Sequence, residues 1–543
     1  MIFILALLFF FHTLNAAAVH NKSEGSNGST LPGIEFPDQP NFISATSLAE
    51  DGCQTRTTTS RLPESSEARE PDERKLGGPP KPALKLHLKN GRMDLRTREN
   101  KKESQMAYIH RDQTRIQTLH RRIAEKKNQN TVSRTTNRRQ RSTASTARRL
   151  KSGVDDKEGG PTSQMVATLR SGVSLGSVEY LMDVFLGTPP KHFSMIVDTG
   201  SDLNWIQCLP CHDCFPQHDP LYNPEDSSSF HNVSCHDPRC KMVSSPDHSR
   251  PCKLENQTCE YFYWYGDSSN TTGDFALETF TVNLTTPAGE SELQQVENIM
   301  FGCGHWNRGH FNGASGLLGL GRGPLSFSSQ LQSLYGHVFS YCLVDWNSDA
   351  NVSSKLIFGE DKSLMSHPNL NFTSFVEGKE NPFNTYYYLQ IQAIVVGGEI
   401  LDIPAKTWNF SPEGTGGMII DSGTTLGYFA NPAYRIIREA FRKKVSYPLL
   451  EGIPMLDTCF NVSGVKKVDM PEFTILFGDG AVWNFPMENC FIPMDPDVVC
   501  LAISETPHSL FSILGNYQQQ NFHILYDTKK SRLGFAPMRC ADV

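Results

Sequence analysis

Two short stretches constrain what this chain can fold into. Met195-Ile196-Val197-Asp198-Thr199-Gly200-Ser201 and Met418-Ile419-Ile420-Asp421-Ser422-Gly423-Thr424 share one pattern. Each is an apolar run ending in Asp, then a hydroxyl residue, Gly, and a second hydroxyl residue. Such a run reads as a buried strand entering a tight turn. A further matched pair follows in the same order: Gly316-Leu317-Leu318-Gly319 in the first half and Ile513-Leu514-Gly515 in the second. One Asp-Gly turn carries no information, because any protein has several. Two features repeated in matched order point to a duplicated half-molecule in which each half presents one carboxylate.

The rest of the chain fits a mainly β fold. From Ser171 onward, short apolar segments alternate with Gly, Pro, Asn and Asp. Strands are expected at 178–186, 339–344, 355–358, 386–396, 521–526 and 533–536, besides the two that end in Asp. A long hairpin is expected from Tyr261 through a turn at Gly266-Asp267-Ser268-Ser269, returning along 274–284. Helices are expected at 326–335 and 432–445.

Charge separates a leader from this body. Residues 19–170 hold 29 Lys and Arg against 18 Asp and Glu, whereas 171–543 hold 22 against 40. A basic tract can be a nucleic-acid-binding tail, but no aromatic interleaving supports that here. The alternative is a basic propeptide held on an oppositely charged domain. The apolar run Ile2 to Phe11, followed by Ala16, Ala17 and Ala18, has the length of a signal-peptide core and is short for a spanning helix. No later stretch is long and apolar enough to span. The expected organisation is a signal peptide at 1–18 and a largely disordered propeptide at 19–170, with a helix near 106–123. An N-terminal lobe at 171–380 and a C-terminal lobe at 381–543 follow. Thirteen of the 14 cysteines lie in 171–543. Sequons stand at Asn21, Asn27, Asn232, Asn256, Asn270, Asn283, Asn351, Asn371, Asn409 and Asn461. Together these indicate an oxidising secretory route, with the extracellular space (apoplast) or the vacuole as destination.

Paired carboxylates suit acid–base hydrolysis. Two neighbouring Asp side chains share a proton and titrate as a pair. The charged member takes a proton from a water, and the protonated member donates to the carbonyl oxygen under attack. This chemistry needs no cofactor, no metal and no covalent intermediate. Gly200 and Gly423 allow the tight turns. Ser201 and Thr424 are placed to hydrogen-bond the carboxylates.

On these residues the chain resembles the pepsin-like aspartic proteases, and among them the plant nepenthesin-type members. The resemblance covers roughly 175–543. It rests on Asp198-Thr-Gly-Ser with Trp205 seven residues on, Asp421-Ser-Gly-Thr, Tyr265-Gly266-Asp267, the two apolar-Gly motifs and the cysteine-rich insert at 208–259. It implies a bilobal, mainly β fold with an active-site cleft between two related lobes. Asp198 and Asp421 would be the catalytic pair, supported by Thr199, Gly200, Ser201, Ser422, Gly423 and Thr424. Tyr265 would sit at the tip of a flap with Gly266 and Asp267, its phenol bonded to Trp205. Pepsin itself works through two carboxylates that share one proton, so acidic operation is implied by the resemblance. Implied partners are polypeptide substrates and the chain's own propeptide as intramolecular inhibitor, with the protein a monomer. The family pattern further suggests the disulfides Cys208–Cys211, Cys214–Cys303, Cys235–Cys259, Cys240–Cys252, Cys342–Cys540 and Cys459–Cys500. That leaves Cys53 and Cys490, and Cys490 departs from the pattern.

Three alternatives stand beside this reading. Cys208-x-x-Cys211-His212-x-Cys214 has a spacing open to zinc. Gly319-Leu320-Gly321-Arg322-Gly323 lacks both dinucleotide and phosphate-loop spacing and reads as a Gly-rich turn. A non-catalytic binding protein on the same fold, like the plant xylanase-inhibitor relatives, differs in whether the carboxylate pair is intact; both copies are intact here.

Overall fold

The computed structural model describes residues 106, 109–113 and 116, and from Gln164 to Val543 all but short segments. Those segments are 173–177, 244–251, 253–256, 266–268, 286–290, 310, 312, 347, 349–351, 377–383, 411–415, 454 and 507–510, except that Cys252 is described. All described residues belong to one compact unit, Lys89–Val543. The signal peptide, Cys53, most of the leader, Gly266, Asp267, and the sequons at Asn21, Asn27, Asn256 and Asn351 lie outside the described residues, as does the side chain of Asn283.

The duplication read from the sequence is present in the strand topology. In the first half, Lys191–Asp198 runs parallel to Gly316–Gly319, with Val197 opposite Leu318 and Asp198 opposite Gly319. Gly316–Gly319 is antiparallel to Trp205–Gln207, which is parallel to Ser291–Arg308. In the second half, Met418–Ile420 runs parallel to Ser512–Leu514, with Ile420 opposite Leu514. Ser512–Leu514 is antiparallel to Gly427–Phe429, which is parallel to Ile503–Glu505. Each Asp strand and the strand that follows it are thus separated by an apolar-Gly strand threaded between them. The glycines have a steric reason. A Cβ on Gly319 would come within 2.5 Å of the Asp202 backbone, and one on Gly515 within 2.2 Å of the Leu426 carbonyl oxygen. Only glycine lets the backbones approach this closely.

A platform joins the halves. The strands Asn371–Ser374, Arg532–Pro537, Phe522–Asp527, Val338–Cys342, Ser354–Phe358 and Gln164–Ser171 pair antiparallel in that order. The last also pairs with Tyr180–Leu186, carrying the sheet into the first half. Aromatic packing fills one face of it: Phe339 stacks on Tyr526 with centroids 4.5 Å apart, and Tyr387 meets Tyr526 edge-on at 4.6 Å. The expected leader boundary at 170/171 therefore falls inside a strand. Met165 and Leu169 are buried there, because Gln164–Ser171 is an interior strand with neighbours on both edges. The last two strands of the chain likewise join a sheet built largely from residues before 380.

At every described position between 106 and 116 the leader is helical. Ile109 and Ile116 are buried among Tyr386, Tyr388, Leu426, Tyr428, Phe511 and Ile513. The helix expected at 432–445 is Ala433–Lys444. It buries Ala433, Ile437 and Phe441 at helical spacing and ends in Arg442, Lys443 and Lys444, which suits the negative end of its dipole.

Four of the expected disulfides are corrected. Cys208 bonds to Cys303, not to Cys211, and Cys211 bonds to Cys214 rather than Cys214 to Cys303. The cause is register: Ile206 lies opposite Cys303 on neighbouring strands, and the Cys208 N–H bonds the Gly304 carbonyl. Cys208 is therefore held against the sheet while the 209–214 loop closes on itself. Similarly, Cys235 pairs with Cys252 and Cys240 with Cys259, not Cys235 with Cys259 or Cys240 with Cys252. Cys235 lies opposite Gln257 in the insert, and the fully buried Cys259 faces inward beneath the short helix Pro238–Met242 that carries Cys240. Cys342–Cys540 and Cys459–Cys500 are the other two bonds, and Cys490 is a buried free thiol. The three sulfurs that a zinc site at 208–214 would use are all in disulfides. The same holds for Cys235 and Cys252, which with His236 form a group of metal-ligand side chains.

Candidate active site

Each Asp strand delivers its carboxylate into a cradle made by the next three residues. Asp198 Oδ1 accepts the Gly200 N–H at 2.9 Å, and Oδ2 accepts the Ser201 hydroxyl at 2.7 Å. Asp421 Oδ1 accepts the Gly423 N–H at 2.8 Å, and Oδ2 accepts the Thr424 hydroxyl at 2.6 Å. Both carboxylates are buried. The strand fixes the Cα, the turn glycine supplies one donor, and the hydroxyl of the residue after it fixes the plane of the group.

The middle residues of the two turns lock the loops together. The Thr199 N–H donates to Ser422 Oγ at 3.0 Å, and the Ser422 N–H donates to Thr199 Oγ1 at 2.9 Å. Ser422 Oγ donates in turn to the Val197 carbonyl at 3.0 Å. The hydroxyls at 199 and 422 thus have a different task from those at 201 and 424. The structure brings all eight expected residues, 198–201 and 421–424, into one buried assembly.

The first half carries an aromatic cluster. Trp205 Nε1 donates to the Tyr265 hydroxyl at 2.6 Å, and Phe311 packs edge-on against both rings. Burial, with the nearby Tyr263 and the Asp198 charge, pushes the Tyr265 phenol well above its ordinary pKa, so it stays protonated.

Three contributors escape a reading of the sequence. Asn204 is buried: its Oδ1 accepts the Gly319 N–H at 3.1 Å and its amide donates to the Leu325 carbonyl at 2.8 Å, tying the two first-half motifs together. Asn516 donates to the Ser422 carbonyl at 3.1 Å. Asp202 accepts the Gly323 N–H at 2.8 Å, in space that Cβ atoms on Gly321 and Gly323 would fill. Burial raises the Asp202 carboxyl; Thr385 and the Gly323 N–H oppose that rise, and the Asp198 charge adds to it. A signal for the two asparagines exists in the chain. Asn204 stands directly before Trp205-Ile206 and Asn516 directly after Ile513-Leu514-Gly515, and a polar residue carried into the interior by such a motif is hydrogen-bonded there.

The leader reaches this site. Asp112, fully buried, accepts the Thr425 N–H at 2.9 Å, the Leu426 N–H at 3.1 Å and the Tyr428 hydroxyl at 3.2 Å. The two N–H donors follow directly on Thr424. Arg111 forms a buried ion pair with Glu179. The contact is only partly basic leader on acidic body: one leader cation meets a body acid, while one leader acid meets body N–H groups.

Comparison with known proteins follows the same two halves. Residues 180–360 match the family model described as Xylanase inhibitor N-terminal, and 386–537 match Xylanase inhibitor C-terminal. The chain is 41% identical over 380 residues to aspartic proteinase nepenthesin-2 of Nepenthes gracilis, covering 69% of this chain and 81% of that protein. It is 38% identical to Aspartyl protease family protein 2 of Arabidopsis thaliana, covering 71% and 75%. Among solved structures, that of edgp superposes with a TM-score of 0.58 at 19% identity, covering 71% of this chain and 97% of the other. Basic 7S globulin from soybean gives 0.55 at 20%, covering 69% and 97%. At such identities the structures speak for the bilobal, mainly β fold alone. The sequence relatives carry the activity: the chain belongs to the plant pepsin-like aspartic proteases of nepenthesin type, and is an aspartic-type endopeptidase acting on polypeptides.

Proposed function

We infer that Asp198 and Asp421 are the catalytic pair. The observation that carries this is the matched cradle: two buried carboxylates, each held by its own turn, on loops locked by Thr199 and Ser422. A water between them loses a proton to the charged carboxylate and attacks the scissile carbonyl. The protonated partner donates to the carbonyl oxygen. The resulting tetrahedral intermediate collapses as the amide nitrogen is protonated and leaves. Tyr265, held by Trp205, closes over the bound peptide. Asp198→Asn and Asp421→Asn should each lower kcat by about 10³-fold or more while leaving the fold intact. The check is peptide cleavage at acidic pH with and without pepstatin, beside circular dichroism. Full activity in either variant would refute the pair.

The protein is further read as a secreted zymogen and a monomer, bound for the apoplast or the vacuole. Asn232, Asn371 and Asn409 are exposed sequons, while Asn270 and Asn461 are half-buried. The leader contact at Arg111 and Asp112 supports latency. Asp112 accepts backbone N–H groups and Glu179 pairs with Arg111, contacts that a carboxylate makes and a neutral carboxyl makes less well. Protonation on acidification weakens both contacts, so the leader loosens as pH falls. A leader whose protection from proteolysis is the same at pH 7 and pH 4 would overturn the zymogen reading.

A further inference from the structure

The glycine-rich turn 319–323 is shaped around one side chain. Its glycines alternate, and each of them lies against Asp202. A Cβ on Gly319 would come within 2.5 Å of the Asp202 backbone. One on Gly321 would lie 2.4 Å from Asp202 Oδ1 and 2.5 Å from the Thr385 hydroxyl oxygen. One on Gly323 would lie 2.2 Å from Asp202 Oδ2, and its three nearest atoms all belong to that carboxylate. The spacing Gly-x-Gly-x-Gly, which fits no nucleotide motif, is thus the outline of a socket for Asp202.

The socket is bonded along its length to the first Asp turn. The Gly319 N–H donates to Asn204 Oδ1 at 3.1 Å. The Leu320 N–H donates to the Asp198 carbonyl and the Gly321 N–H to the Ser201 carbonyl, each at 2.8 Å. The Gly323 N–H donates to Asp202 Oδ1 at 2.8 Å. The Arg322 N–H turns the other way, to the Thr385 carbonyl at 2.9 Å, just before the strand Tyr387–Leu389. The second Asp turn is held differently. There the Asn516 N–H donates to the Thr424 carbonyl at 2.7 Å and the Tyr517 N–H to the Thr425 carbonyl at 2.9 Å, with no carboxylate of the turn itself involved. Asp202 follows directly on Ser201, whose hydroxyl fixes Asp198 Oδ2. A shift of residue 202 therefore reaches that hydroxyl through a single peptide unit.

We propose that Asp202 is a positioning residue for the peptidase reaction: seated against Gly321 and Gly323, its carboxylate holds Ser201 in place and through it the plane of the Asp198 carboxylate. It acts through the turn rather than on the reacting atoms. The inference rests on the assignment of Asp198 and Asp421 as the catalytic pair.

The test is steady-state peptide cleavage by the acid-treated full-length protein, with kcat expressed per pepstatin-titrated site so that misfolded molecules do not count. Asp202→Ala should lower kcat about tenfold and leave KM within about twofold, as displacement of a catalytic group does. Asp202→Asn keeps an acceptor for the Gly323 N–H and should lose no more than about threefold. Gly323→Ala should copy Asp202→Ala, because its methyl takes the place of the carboxylate. Added to Asp202→Ala it should cost at most about twofold more, whereas independent sites would multiply to about a hundredfold. Parent kcat in Asp202→Ala overturns the proposal. So does a multiplied loss in the double variant, or a loss in Asp202→Asn as large as in Asp202→Ala. Should Asp202→Ala fail to fold, Gly323→Ala still decides, since parent kcat in it overturns the proposal. Asp198→Asn separates the two readings. Activity in that variant removes the pair itself, whereas an inactive Asp198→Asn beside a fully active Asp202→Ala removes this inference alone.

Discussion

The two Asp turns are alike for four residues and then part. Through Ser201 and Thr424 they match bond for bond: Gly N–H to Oδ1, hydroxyl to Oδ2. At the next position the first turn has Asp202, whose carboxylate is taken by the chain's own Gly323 N–H. The second has Thr425, whose N–H takes the carboxylate of Asp112 from the leader. The first half also bears Tyr265, bonded to Trp205. The chemistry of hydrolysis needs two matched carboxylates and so preserves the symmetric part. Covering substrate and holding a leader each need only one side. On the proposed function, departure from symmetry marks where regulation and substrate entry are attached.

The largest break in the comparison should come from the lock between the turns, which is itself uneven. Ser422 Oγ both accepts from Thr199 and donates to the Val197 carbonyl, whereas Thr199 Oγ1 is seen to accept from the Ser422 N–H. Ser422→Ala deletes two bonds of the lock and Thr199→Val one of them, together with the contacts of its hydroxyl to the Tyr341 and Tyr526 phenols. A displacement of the carboxylates by about 1 Å can cost roughly 10²-fold. We expect kcat to fall by about that much in Ser422→Ala and by about tenfold in Thr199→Val. Steady-state kinetics with one peptide substrate measures both. Equal losses would mean the lock works as a symmetric unit.

Next in size is the leader contact on the second turn. Asp112→Ala leaves the Thr425 and Leu426 N–H groups and the Tyr428 hydroxyl without that acceptor. Loss of a charged, buried acceptor weakens such a contact by about tenfold or more. The full-length variant should therefore convert to active enzyme about tenfold faster at pH 4, followed by gel and peptide cleavage. An unchanged conversion rate would place latency elsewhere in the leader. Smaller again is the Tyr265 contact. Tyr265→Phe removes the acceptor of Trp205 Nε1, and kcat/KM should fall about five- to tenfold while the Asp198 cradle is untouched. A loss confined to KM would assign Tyr265 to binding alone.

Much of this is legible in the chain. Asp-hydroxyl-Gly and apolar-Gly are local patterns with local causes: a turn that needs glycine, and a backbone approach at Gly319 and Gly515 that no Cβ permits. The eight residues of the assembly and the pairing of the halves can therefore be read from residue order alone. The disulfides within 208–303 cannot, because four of the bonds depend on which strands become neighbours. Spacing does not show that Ile206 faces Cys303. The role of Asp202 is illegible for the same reason: its partner Gly323 lies 121 residues away. The strand Gln164–Ser171 escapes a reading of the chain, because half of its residues are polar and it is held as a strand by two neighbours.

The smallest predicted effect concerns a contact with no counterpart described on the second Asp strand. His192, on the first strand, lies between Asp183 at 3.1 Å and Asp219 at 3.4 Å. Asp219 belongs to the cysteine-rich insert and also accepts the Ser194 N–H and the Ser315 hydroxyl, both at 2.8 Å. The carboxylates of Asp183 and then Asp219 push His192 up to about 9. Both acids are held below their ordinary range: burial opposes this, but the His192 bond, with Arg170 beside Asp183 and Ser315 and Ser194 on Asp219, outweighs it. A raised histidine stabilises the fold fully below its unfolded value near 6.5 and ceases to do so as pH rises through about 9. The depressed acids stabilise above their unfolded value near 3.9, and that contribution is lost as pH falls through their folded values. The cluster is thus strongest between about pH 4 and 6.5. His192 is 41% exposed, so solvent screening reduces its worth to about 1 kcal/mol. His192→Gln should lower Tm by about 2 °C at pH 5 and leave it unchanged at about pH 10, measured by scanning calorimetry. A Tm loss of the same size at both pH values would show that the imidazole only packs, and that the insert is fastened to the first Asp strand by Asp219 alone.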